Sequence, residues 1–519
     1  MANLALFQSI VGRLIPPARH RNEAGGRAYL RTPKDALAQY AATGCFNSTF
    51  YASASEQLDR VKRLADEVPV EFVGKTAIYA RERGLMKDMP ALLVATVAAR
   101  DVRLLDGLFD RVIDTPRMLR TFVQMVRSGV TGRKSFGSAP RRAVRRWLEA
   151  RSDAQLLAAS VGTAPSLADV VKMVHPKPAT KEREALYAWL LGHAAAPEAL
   201  PAAVRAFEDF KARRTEQVPD VPFQMLTALD LGPREWREVA RHASWQATRM
   251  NLNTFARHGV FEDSALTPLI ADRLRDPRAL ARARAFPYQL LAAYGAADAG
   301  VPRAVREALE DAMDLAVAHV PAVDGQVFIC PDVSGSMRSP ITGRRAGATT
   351  AVRCVDVAAL MAAAVLRHNP SAEVIPFEQD VVDVRLSARD TVMTNAARLA
   401  AAGGGGTSVS APLAFLNGRS AKGDLVIIVS DNESWVDAST GRGTTTMQEW
   451  NAFSRRNPGA RLVLLDLQPY PTTQAVERDD VLNVGGFSDQ VFALVADFAA
   501  GRMSAGHWAG EIEAVGWPA

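Results

Sequence analysis

The 519-residue sequence is poor in several features that would assign it to a class. Its three cysteines, Cys45, Cys330 and Cys354, are odd in number and widely spaced, so they give no disulfide framework or zinc cluster. No apolar run approaches the length of a membrane span, and the first residues lack the charged and apolar regions of a signal peptide. These absences favour a protein of the reducing cytoplasm with no membrane partner.

The composition is that of a soluble globular protein, with 48% hydrophobic and 23% charged residues and no low-complexity tract. The chain is too long for one hydrophobic core, and its pattern changes near Pro321. Before that point apolar residues recur at helical spacing, and after it strand and helix patterns alternate. We therefore predict an all-α domain over residues 1–320, resembling an irregular α-solenoid, and an α/β doubly wound domain over residues 321–519.

The individual elements follow from periodicity and turn signals. Residues 1–50 show no regular pattern. In the first domain the helices predicted beyond residue 100 are 104–114, 116–128, 139–151, 166–174, 181–194, 200–212, 222–228, 233–242, 244–258, 264–274, 278–294 and 301–320. In the second domain we predict strands at 326–330, 373–377, 381–386, 424–430, 460–467 and 481–484, with helices at 350–368, 390–402, 409–417, 446–456 and 488–500.

The net charge of +6 is distributed unevenly between the two domains. Residues 321–519 hold 16 basic and 21 acidic residues, a net charge of −5, so residues 1–320 hold 46 and 35, a net of +11. A basic domain joined to an acidic one suggests a polyanionic partner for the first. Arginine-rich composition is common enough that this is weak evidence by itself.

Three polar side chains follow the first predicted strand of the second domain, in the pattern Asp-x-Ser-x-Ser. Asp332, Ser334 and Ser336 stand at alternate positions of a loop that can aim all three at one point. Hard oxygen ligands of this kind suit Mg²⁺, which takes only one or two protein carboxylates and keeps several waters. Taken alone, the pattern is weak and favours an ordinary polar turn over a metal site.

Two later segments strengthen the metal interpretation. Thr407 follows four consecutive glycines, and Asp431 follows the buried strand predicted at 424–430. A strand-end Asp-x-Ser-x-Ser, a loop Thr and a strand-end Asp form, in this order, the pattern of a metal-ion-dependent adhesion site, which indicates a von Willebrand A-like domain. Ligands of open α/β sheets gather at the carboxyl ends of the strands, where all three segments fall.

Catalytic motifs are missing around this site. The glycine loop has no following Lys, so it is not a phosphate-binding P-loop, and Ser334 does not stand in Gly-x-Ser-x-Gly. Asp332 lacks the second carboxylate two residues on that an aspartyl-phosphate phosphatase carries. We therefore predict a protein that is not an enzyme, although a metal-dependent nuclease remains an alternative.

The densest basic stretch of the chain lies between residues 127 and 151. Guanidiniums four residues apart form a ladder along one face of a predicted helix, and the loop before it is rich in small residues. Guanidiniums bind phosphates bidentately and stack on bases, which favours nucleic acid, whereas the alternative is a solvated helix face. The candidate RNA-binding residues here are Arg127, Arg133, Lys134, Arg141, Arg142, Arg145 and Arg146.

Two further segments carry polar residues in apolar surroundings. Lys172, His175 and Lys177 form a second basic turn, although a single His at such a position is more often a helix-end cap. Asn251 and Asn253 lie in a predicted half-buried helix, where they either cap or bridge helices or face a cavity.

The chain resembles the Ro autoantigen family, in which a TROVE module precedes a von Willebrand A-like domain. The resemblance runs from about residue 20 to the C-terminus and points to a bacterial member. In the first domain it rests on residues 132–134, 141–147, 169–177, 249–259 and 285–290. In the second domain it rests on residues 332–337, 405–412, 430–435 and 485–488.

The resemblance implies a ring of HEAT-like helical repeats closed by the A domain. It implies binding of small non-coding Y RNA on the basic outer surface and of single-stranded 3′ ends of misfolded RNA in a central cavity, in association with an exoribonuclease. By position, Arg141, Arg142, Arg145, Arg146, Lys172, His175 and Lys177 match segments that contact RNA in the family. No DNA partner is expected. The rival hypothesis is a metal-dependent protein-binding module whose adhesion site captures an acidic residue of a partner.

Overall fold

A computed structural model describes residues 15–44, 46–132, 135–162, 165–318, 320–344, 352–436, 443–487, 490–503 and 507–517. Contacts divide the chain into two compact units, each built from separate stretches of sequence. The first, which we call the α/β unit, comprises Met1–Val68, Phe286–Ala292 and Val317–Ala514. The second, the helical unit, comprises Pro69–Ala285, Ala293–Ala316 and Val515–Ala519. The chain re-enters the α/β unit close to the boundary predicted near Pro321, but the N-terminal segment packs with the α/β unit and not with the helices that follow it.

The N-terminal segment forms two strands and two helices, of which sequence periodicity indicated only the second helix. They are β1 (His20–Arg21), β2 (Arg27–Leu30), α1 (Pro33–Thr43) and α2 (Ala54–Glu67). Thr32 starts α1 by accepting a hydrogen bond from the Asp35 amide, and Ser53 with Glu56 forms a capping box at α2. Helix α1 has no simple apolar stripe because nearly all its residues after the first turn are buried.

The helical unit consists of helices joined by short turns. They are α3 (Val70–Glu82), α4 (Asp88–Arg100), α5 (Leu105–Val112), α6 (Pro116–Ser128), α7 (Ser138–Glu149), α8 (Asp153–Ala159), α9 (Leu167–Val174), α10 (Lys181–Leu190), α11 (Ala202–Lys211), α12 (Phe223–Leu226), α13 (Pro233–His242), α14 (Trp245–Met250), α15 (Leu252–Arg257), α16 (Leu266–Arg275), α17 (Pro277–Ala283), α18 (Pro287–Ala296), whose first residues belong to the α/β unit, and α19 (Arg303–Ala316).

The burial of these helices follows their sequence patterns. Helix α4 is apolar all round and is buried from Met89 to Ala98, so it forms the centre of its part of the unit. Helix α6 buries only a stripe that includes Leu119, Phe122 and Val126. None of the helices in the described ranges is both long and apolar enough to cross a membrane.

Two helices predicted as continuous are each broken in two. The helix predicted at 244–258 breaks at Asn251, where φ is −123° and ψ is 19°, and the Asn251 side chain donates to the Ala247 carbonyl over 2.8 Å. This bond competes with the helical pattern. The helix predicted at 278–294 breaks at Arg284, which adopts the left-handed conformation with φ 45° and precedes Pro287.

The α/β unit is built on a five-stranded parallel sheet. Its strands are β3 (Val327–Pro331), β4 (Glu373–Val374), β5 (Leu425–Ser430), β6 (Arg461–Asp466) and β8 (Val481–Gly485), while β7 (Thr472–Thr473) pairs with β2 instead. The helices are α20 (Cys354–His368), α21 (Val392–Ala401), α22 (Ala411–Gly418), α23 (Thr445–Arg456), α24 (Gln490–Ala499) and α25 (His507–Glu513).

The spatial order of the strands, β4-β3-β5-β6-β8, determines where a ligand can bind. From β3 the chain moves outward to β4, then returns to add β5 on the other side of β3. The connections therefore leave β3 and β5 in opposite directions, which opens a crevice at the carboxyl ends of these two strands. Both strands are completely buried, as expected for a parallel sheet covered on both faces.

One predicted strand is wrong. Residues 381–386 form only an isolated bridge between Val381 and Phe377, and one bond from the Val382 amide to the Pro376 carbonyl. The edge strand predicted at 373–377 is regular only at Glu373–Val374. The backbone amides of Ile375 and Phe377 still donate to carbonyls of β3, so this segment runs along β3 with irregular geometry. Residues 381–386 therefore have no regular strand beside them with which to pair.

The contact between α1 and β8 can be tested at Gly485. A Cβ atom there would lie 2.7 Å from Cδ of the buried Gln39 on α1, too close for any side chain. We expect Gly485→Ala to reduce the free energy of unfolding by about 1–3 kcal/mol, measured by urea denaturation.

Gly418→Ala is the matched control, because a Cβ at the last residue of α22 meets nothing within 4 Å. This variant should have unchanged or slightly increased stability. Equal stabilities of the two variants would show that α1 does not pack tightly on β8.

Candidate functional site

The crevice between β3 and β5 brings the predicted metal ligands together. Asp332 directly follows β3, and Asp431 directly follows its neighbour β5. The loop that carries Thr407 is bound to both, because the Gly335 amide donates to the Gly405 carbonyl over 2.9 Å and the Trp435 amide donates to the Thr407 carbonyl over 3.1 Å. Three segments far apart in sequence therefore meet at one edge of the sheet.

The side chains in the crevice are buried and face one another. Asp332 and Ser334 are completely buried, and Ser336, Thr407 and Asp431 nearly so. The Ser334 amide donates to Oδ1 of Asp332 over 2.8 Å, and the hydroxyl of Ser430 donates to Oδ2 over 2.5 Å. The hydroxyl oxygens of Ser334 and Ser336 are 3.4 Å apart. The result is a compact set of carboxylate and hydroxyl oxygens.

The two carboxylates of this set destabilise each other's charged form. Burial, together with the charge of Asp431, raises the pKa of Asp332 to about 7. Burial also raises the pKa of Asp431, while hydrogen bonds from Ser336 and the Glu433 amide oppose the shift. Such a pair is stabilised either by a proton or by a cation.

The donor set suits a hard divalent cation. All its side-chain donors are oxygens, as Mg²⁺ prefers. In the described residues there is no group of three or more His, Cys, Asp and Glu side chains placed to hold a metal. A cation here would therefore depend on the serine and threonine hydroxyls, and on water, in addition to the two carboxylates.

Buried residues beside the ligands form a second layer that sequence reasoning did not single out. The backbone of Asn432 adopts φ 64°. Its side-chain Nδ2 donates to Oδ2 of Asp466 over 3.2 Å and to the Thr473 hydroxyl over 3.1 Å. Asp466 forms an ion pair with Arg31, and both side chains are almost completely buried. The loop containing Asp431 is thereby anchored to β6 and to the N-terminal segment.

Glu433 is a further buried carboxylate in the same loop. Its Oε2 accepts a 3.2 Å bond from the Ala24 amide, whereas Oε1 has no partner in the described structure. Burial and the nearby Asp431 raise the pKa of Glu433 well above its ordinary range. The run from Ser430 to Ser434 drew attention to this loop, but nothing in the sequence indicated that Glu433 is buried.

Two exposed aromatic side chains adjoin the buried oxygen set. Trp435, 53% exposed, follows the loop of Asp431. Phe50, 49% exposed, contacts Tyr51 with ring centroids 4.6 Å apart, and Tyr51 in turn is hydrogen-bonded to Ser336. Exposed aromatic side chains beside a polar crevice offer apolar contacts to a ligand larger than a free ion.

In the helical unit, the predicted basic ladder lies on α7 but has two different parts. Arg141 and Arg142 are exposed and form no ion pair with the described residues. Nε of Arg145 donates to the Val174 carbonyl at the end of α9. Arg146 pairs with Asp106 over 3.3 Å and with Asp110 over 2.9 Å.

The sequence between residues 127 and 151 contains a single acidic residue, Glu149, which argued against acidic partners for the ladder, but Arg146 has two in the folded structure. These partners come from α5, far enough away in sequence that no local charge pattern revealed them. The pairs are largely exposed, so they contribute little to stability.

The second basic turn lies at the end of α9. His175 ends the helix in the left-handed conformation with φ 48°, and its amide donates to the Val171 carbonyl, so the helix-cap interpretation is confirmed. The side chains of Lys172, His175 and Lys177 are all exposed. Arg127 is exposed at the end of α6, and its charge and that of Lys172 both act on Asp169. Arg133 and Lys134 lie outside the described residues.

The two asparagines serve as caps and bridges. Asn251 caps α14, as described above. Asn253 joins neighbouring helices through its side chain. Its Nδ2 donates to the Ala296 carbonyl over 2.8 Å, and its Oδ1 accepts from the Asp298 backbone amide over 3.1 Å. Asn251 also lines a cleft of about 1330 Å³.

Comparison with known proteins supports the resemblance over nearly the whole chain. Residues 326–499 match the family model of the Ro60 vWA domain. The chain is 26% identical to the RNA-binding protein RO60 of Deinococcus radiodurans, over 93% of this chain and 96% of that protein. The crystal structure of the Ro (RSR) protein of Deinococcus radiodurans superposes with a TM-score of 0.61 at 21% identity, covering 91% of this chain and 100% of the other. The predicted fold class and the resemblance to the Ro family are confirmed.

The effect of the buried pair on stability can be tested in metal-free protein. The pKa of Asp332 is about 7 in the folded state and near 4 in the unfolded state, so folding favours the protonated form. The wild type should therefore lose stability as the pH rises from about 4 to about 7. The stability advantage of Asp332→Asn over the wild type should therefore be larger at pH 8 than at pH 5, by on the order of 1 kcal/mol or more, measured by urea denaturation in chelator.

Asp383→Asn provides the control, because it makes the same charge change at an exposed carboxylate. Its stability should differ from that of the wild type by the same small amount at both pH values. A difference between Asp332→Asn and the wild type that does not depend on pH would contradict the raised pKa.

Proposed function

Because the likeness to the Ro family extends over nearly the whole chain, we propose that this protein is a non-catalytic RNA-binding protein. The observation that carries the proposal is the match to an RNA-binding protein over 93% of the chain. The basic surface of the helical unit supports it. That surface consists of exposed basic residues on α6 and α7, on α9 and in the turn that follows α9. Its members are Arg127, Arg141, Arg142, Lys172, His175 and Lys177.

The chemistry of this surface supports contacts with a phosphate backbone. Its guanidinium and ammonium groups are solvated at the surface and can replace the counterions of RNA. Arg145 and Arg146 differ, because each already holds α7 to a neighbouring element. Contacts of this kind give affinity and orientation but little sequence specificity.

We extend the proposal to the kind of RNA. The Ro resemblance supports a small structured non-coding RNA of the Y class on this surface. It also supports binding of single-stranded 3′ ends of misfolded RNAs and a role in RNA quality control together with an exoribonuclease.

We also propose that the crevice of the α/β unit holds Mg²⁺. Asp332, Ser334, Ser336, Thr407 and Asp431 would hold the ion directly or through water. A cation fits because it would neutralise two buried carboxylates that otherwise destabilise each other. When bound, it would supply positive charge that can anchor an anionic group of a partner.

A second candidate function is metal-dependent capture of a protein partner. The exposed Phe50 and Trp435 beside the crevice favour it, because they could contact apolar residues on either side of an acidic side chain. This function is compatible with RNA binding, since the basic surface and the crevice lie in different units.

RNA binding can be tested by reversing charge at Arg141, Arg142 and Lys177. RNA that copurifies with the protein from its own cells serves as the ligand. Each lost phosphate contact should cost on the order of 1 kcal/mol at low salt and should reduce the slope of log affinity against log salt by about 0.7–0.9. Filter binding over a series of salt concentrations measures both quantities.

Charge reversal at Arg103, Arg234 and Arg303 is the control. These three side chains are also exposed, but each forms an ion pair with a carboxylate. In this control, RNA affinity and the slope of log affinity against log salt should change much less than in the variant of Arg141, Arg142 and Lys177. If the two triple variants lose affinity equally, the surface of α7 and α9 is not a specific contact.

The metal can be tested by thermal unfolding with and without Mg²⁺. Binding to the folded state alone should raise the melting temperature as the Mg²⁺ concentration exceeds the Kd. Asp431→Ala should abolish the increase, whereas Asp383→Ala should retain it. Removal of the metal should leave RNA affinity unchanged. An increase that persists in Asp431→Ala would place the ion elsewhere.

A further inference from the structure

Helix α17 carries a second cluster of arginines that no motif singled out. Arg278 and Arg282 lie four residues apart on its outer face, and Arg284 follows at its end. All three side chains are exposed, and none forms an ion pair or side-chain hydrogen bond with the residues that the structure describes. Only Leu280 of the helix is buried, and it fixes the helix on its inner face.

Like Arg141 and Arg142, these arginines have no carboxylate partner among the described residues, whereas several other exposed arginines of the helical unit do. Arg303, whose side chain is 92% exposed, pairs with Glu307, and Arg103, whose side chain is 86% exposed, pairs with Asp101. Two carboxylates of the flanking helices, Asp272 of α16 and Asp311 of α19, both pair with Arg275. The positive charge of α17 is therefore uncompensated by these neighbours.

The shape of α17 permits close approach by an extended polyanion. The residues between the arginines are Ala279, Ala281 and Ala283, with only the inward-facing Leu280 among them. Small side chains between guanidiniums leave room for a sugar-phosphate backbone to lie along the helix. Bulkier residues would hold a strand beyond hydrogen-bonding distance.

Arg284 is the least expected member of the cluster. It ends the helix with φ 45°, a conformation that favours glycine at this position. The Arg284 side chain is exposed and forms no ion pair within the described structure, and the backbone conformation is costly. A charged ligand would give the side chain a role.

We propose that Arg278, Arg282 and Arg284 form a second phosphate-binding surface for RNA, separate in sequence from the surface on α6, α7 and α9. The proposal rests on the proposed RNA-binding function and extends it to a second contact on the same unit. RNA is favoured over an acidic protein because three guanidiniums without carboxylate partners, separated by alanines, match repeated phosphates and offer little apolar contact surface.

The test measures binding of a labelled single-stranded uridine oligomer at several salt concentrations, by fluorescence anisotropy. The triple variant Arg278→Gln, Arg282→Gln and Arg284→Gln should bind at least about tenfold more weakly at low salt, with the salt slope reduced by about 2. The matched control replaces Arg103, Arg234 and Arg303 by Gln and should retain the wild-type slope. Both variants should melt at the wild-type temperature, because the replaced side chains are exposed.

Arg284→Gly separates ligand binding from a structural role. Glycine relieves the left-handed conformation, so this variant should be at least as stable as the wild type while it binds the oligomer more weakly. Unchanged RNA affinity in both Arg284→Gly and the triple variant would overturn the second surface.

The same experiment distinguishes failure of the second surface on α17 from failure of the proposed RNA-binding function. If variants of Arg141 and Arg142 weaken binding while the α17 variants do not, the second surface is refuted and RNA binding stands. If the wild type binds no RNA at low salt, RNA binding itself is refuted. If the α17 variants lose affinity for polyglutamate but not for the oligomer, the surface binds an acidic protein and the RNA assignment is overturned.

Discussion

The buried ion pair between Arg31 and Asp466 is the contact on which the geometry of the crevice depends. Asp466 stands at the end of β6, and its carboxylate also accepts a hydrogen bond from Asn432, the neighbour of the candidate ligand Asp431. Removal of one member of a buried pair leaves an uncompensated charge and costs about 3–5 kcal/mol. The position of the candidate ligand Asp431 is thus coupled to Arg31, which directly follows β2.

The same low-polarity environment explains why the charged form of the acidic residues in the crevice is costly. Asp332, Asp431 and Glu433 are all buried, and burial raises the pKa of each. Arg31 compensates Asp466 but leaves these three without a cationic partner in the described residues. Parallel strands collect acidic groups at one edge of the sheet, and the protein interior makes their charge costly.

The sequence predicted the main features of the fold but not the contacts between distant segments. Buried strands such as β3 and β5 are continuous apolar runs, and helices with a capping signal, such as α6 and α9, have local determinants of both ends. Residues 381–386 were mistaken for a strand because their pattern is right and only the absence of a neighbouring strand prevents pairing.

In the candidate site, too, local sequence predicted the candidate ligands but not the residues from distant segments that surround them. Asp332, Ser334, Ser336, Thr407 and Asp431 were identified because each stands at a strand end or loop with a fixed order along the chain. The surrounding residues, including Arg31, Tyr51 and Asp466, come from segments whose pairing depends on the tertiary structure. On α7 the local pattern predicted the helix and its exposed face, whereas the acidic partners of Arg146 on α5 could be found only in the folded chain.

The pairing of β2 with β7 joins residues about 440 positions apart, Tyr29 with Thr473 and Leu30 with Thr472. During synthesis, the segment that includes Arg31 emerges from the ribosome long before the strands against which it packs. The helical unit is translated in between and can acquire its local contacts first. The crevice is therefore completed late in biosynthesis, and until then an apolar helix and a buried arginine from the N-terminal segment must remain without their partners.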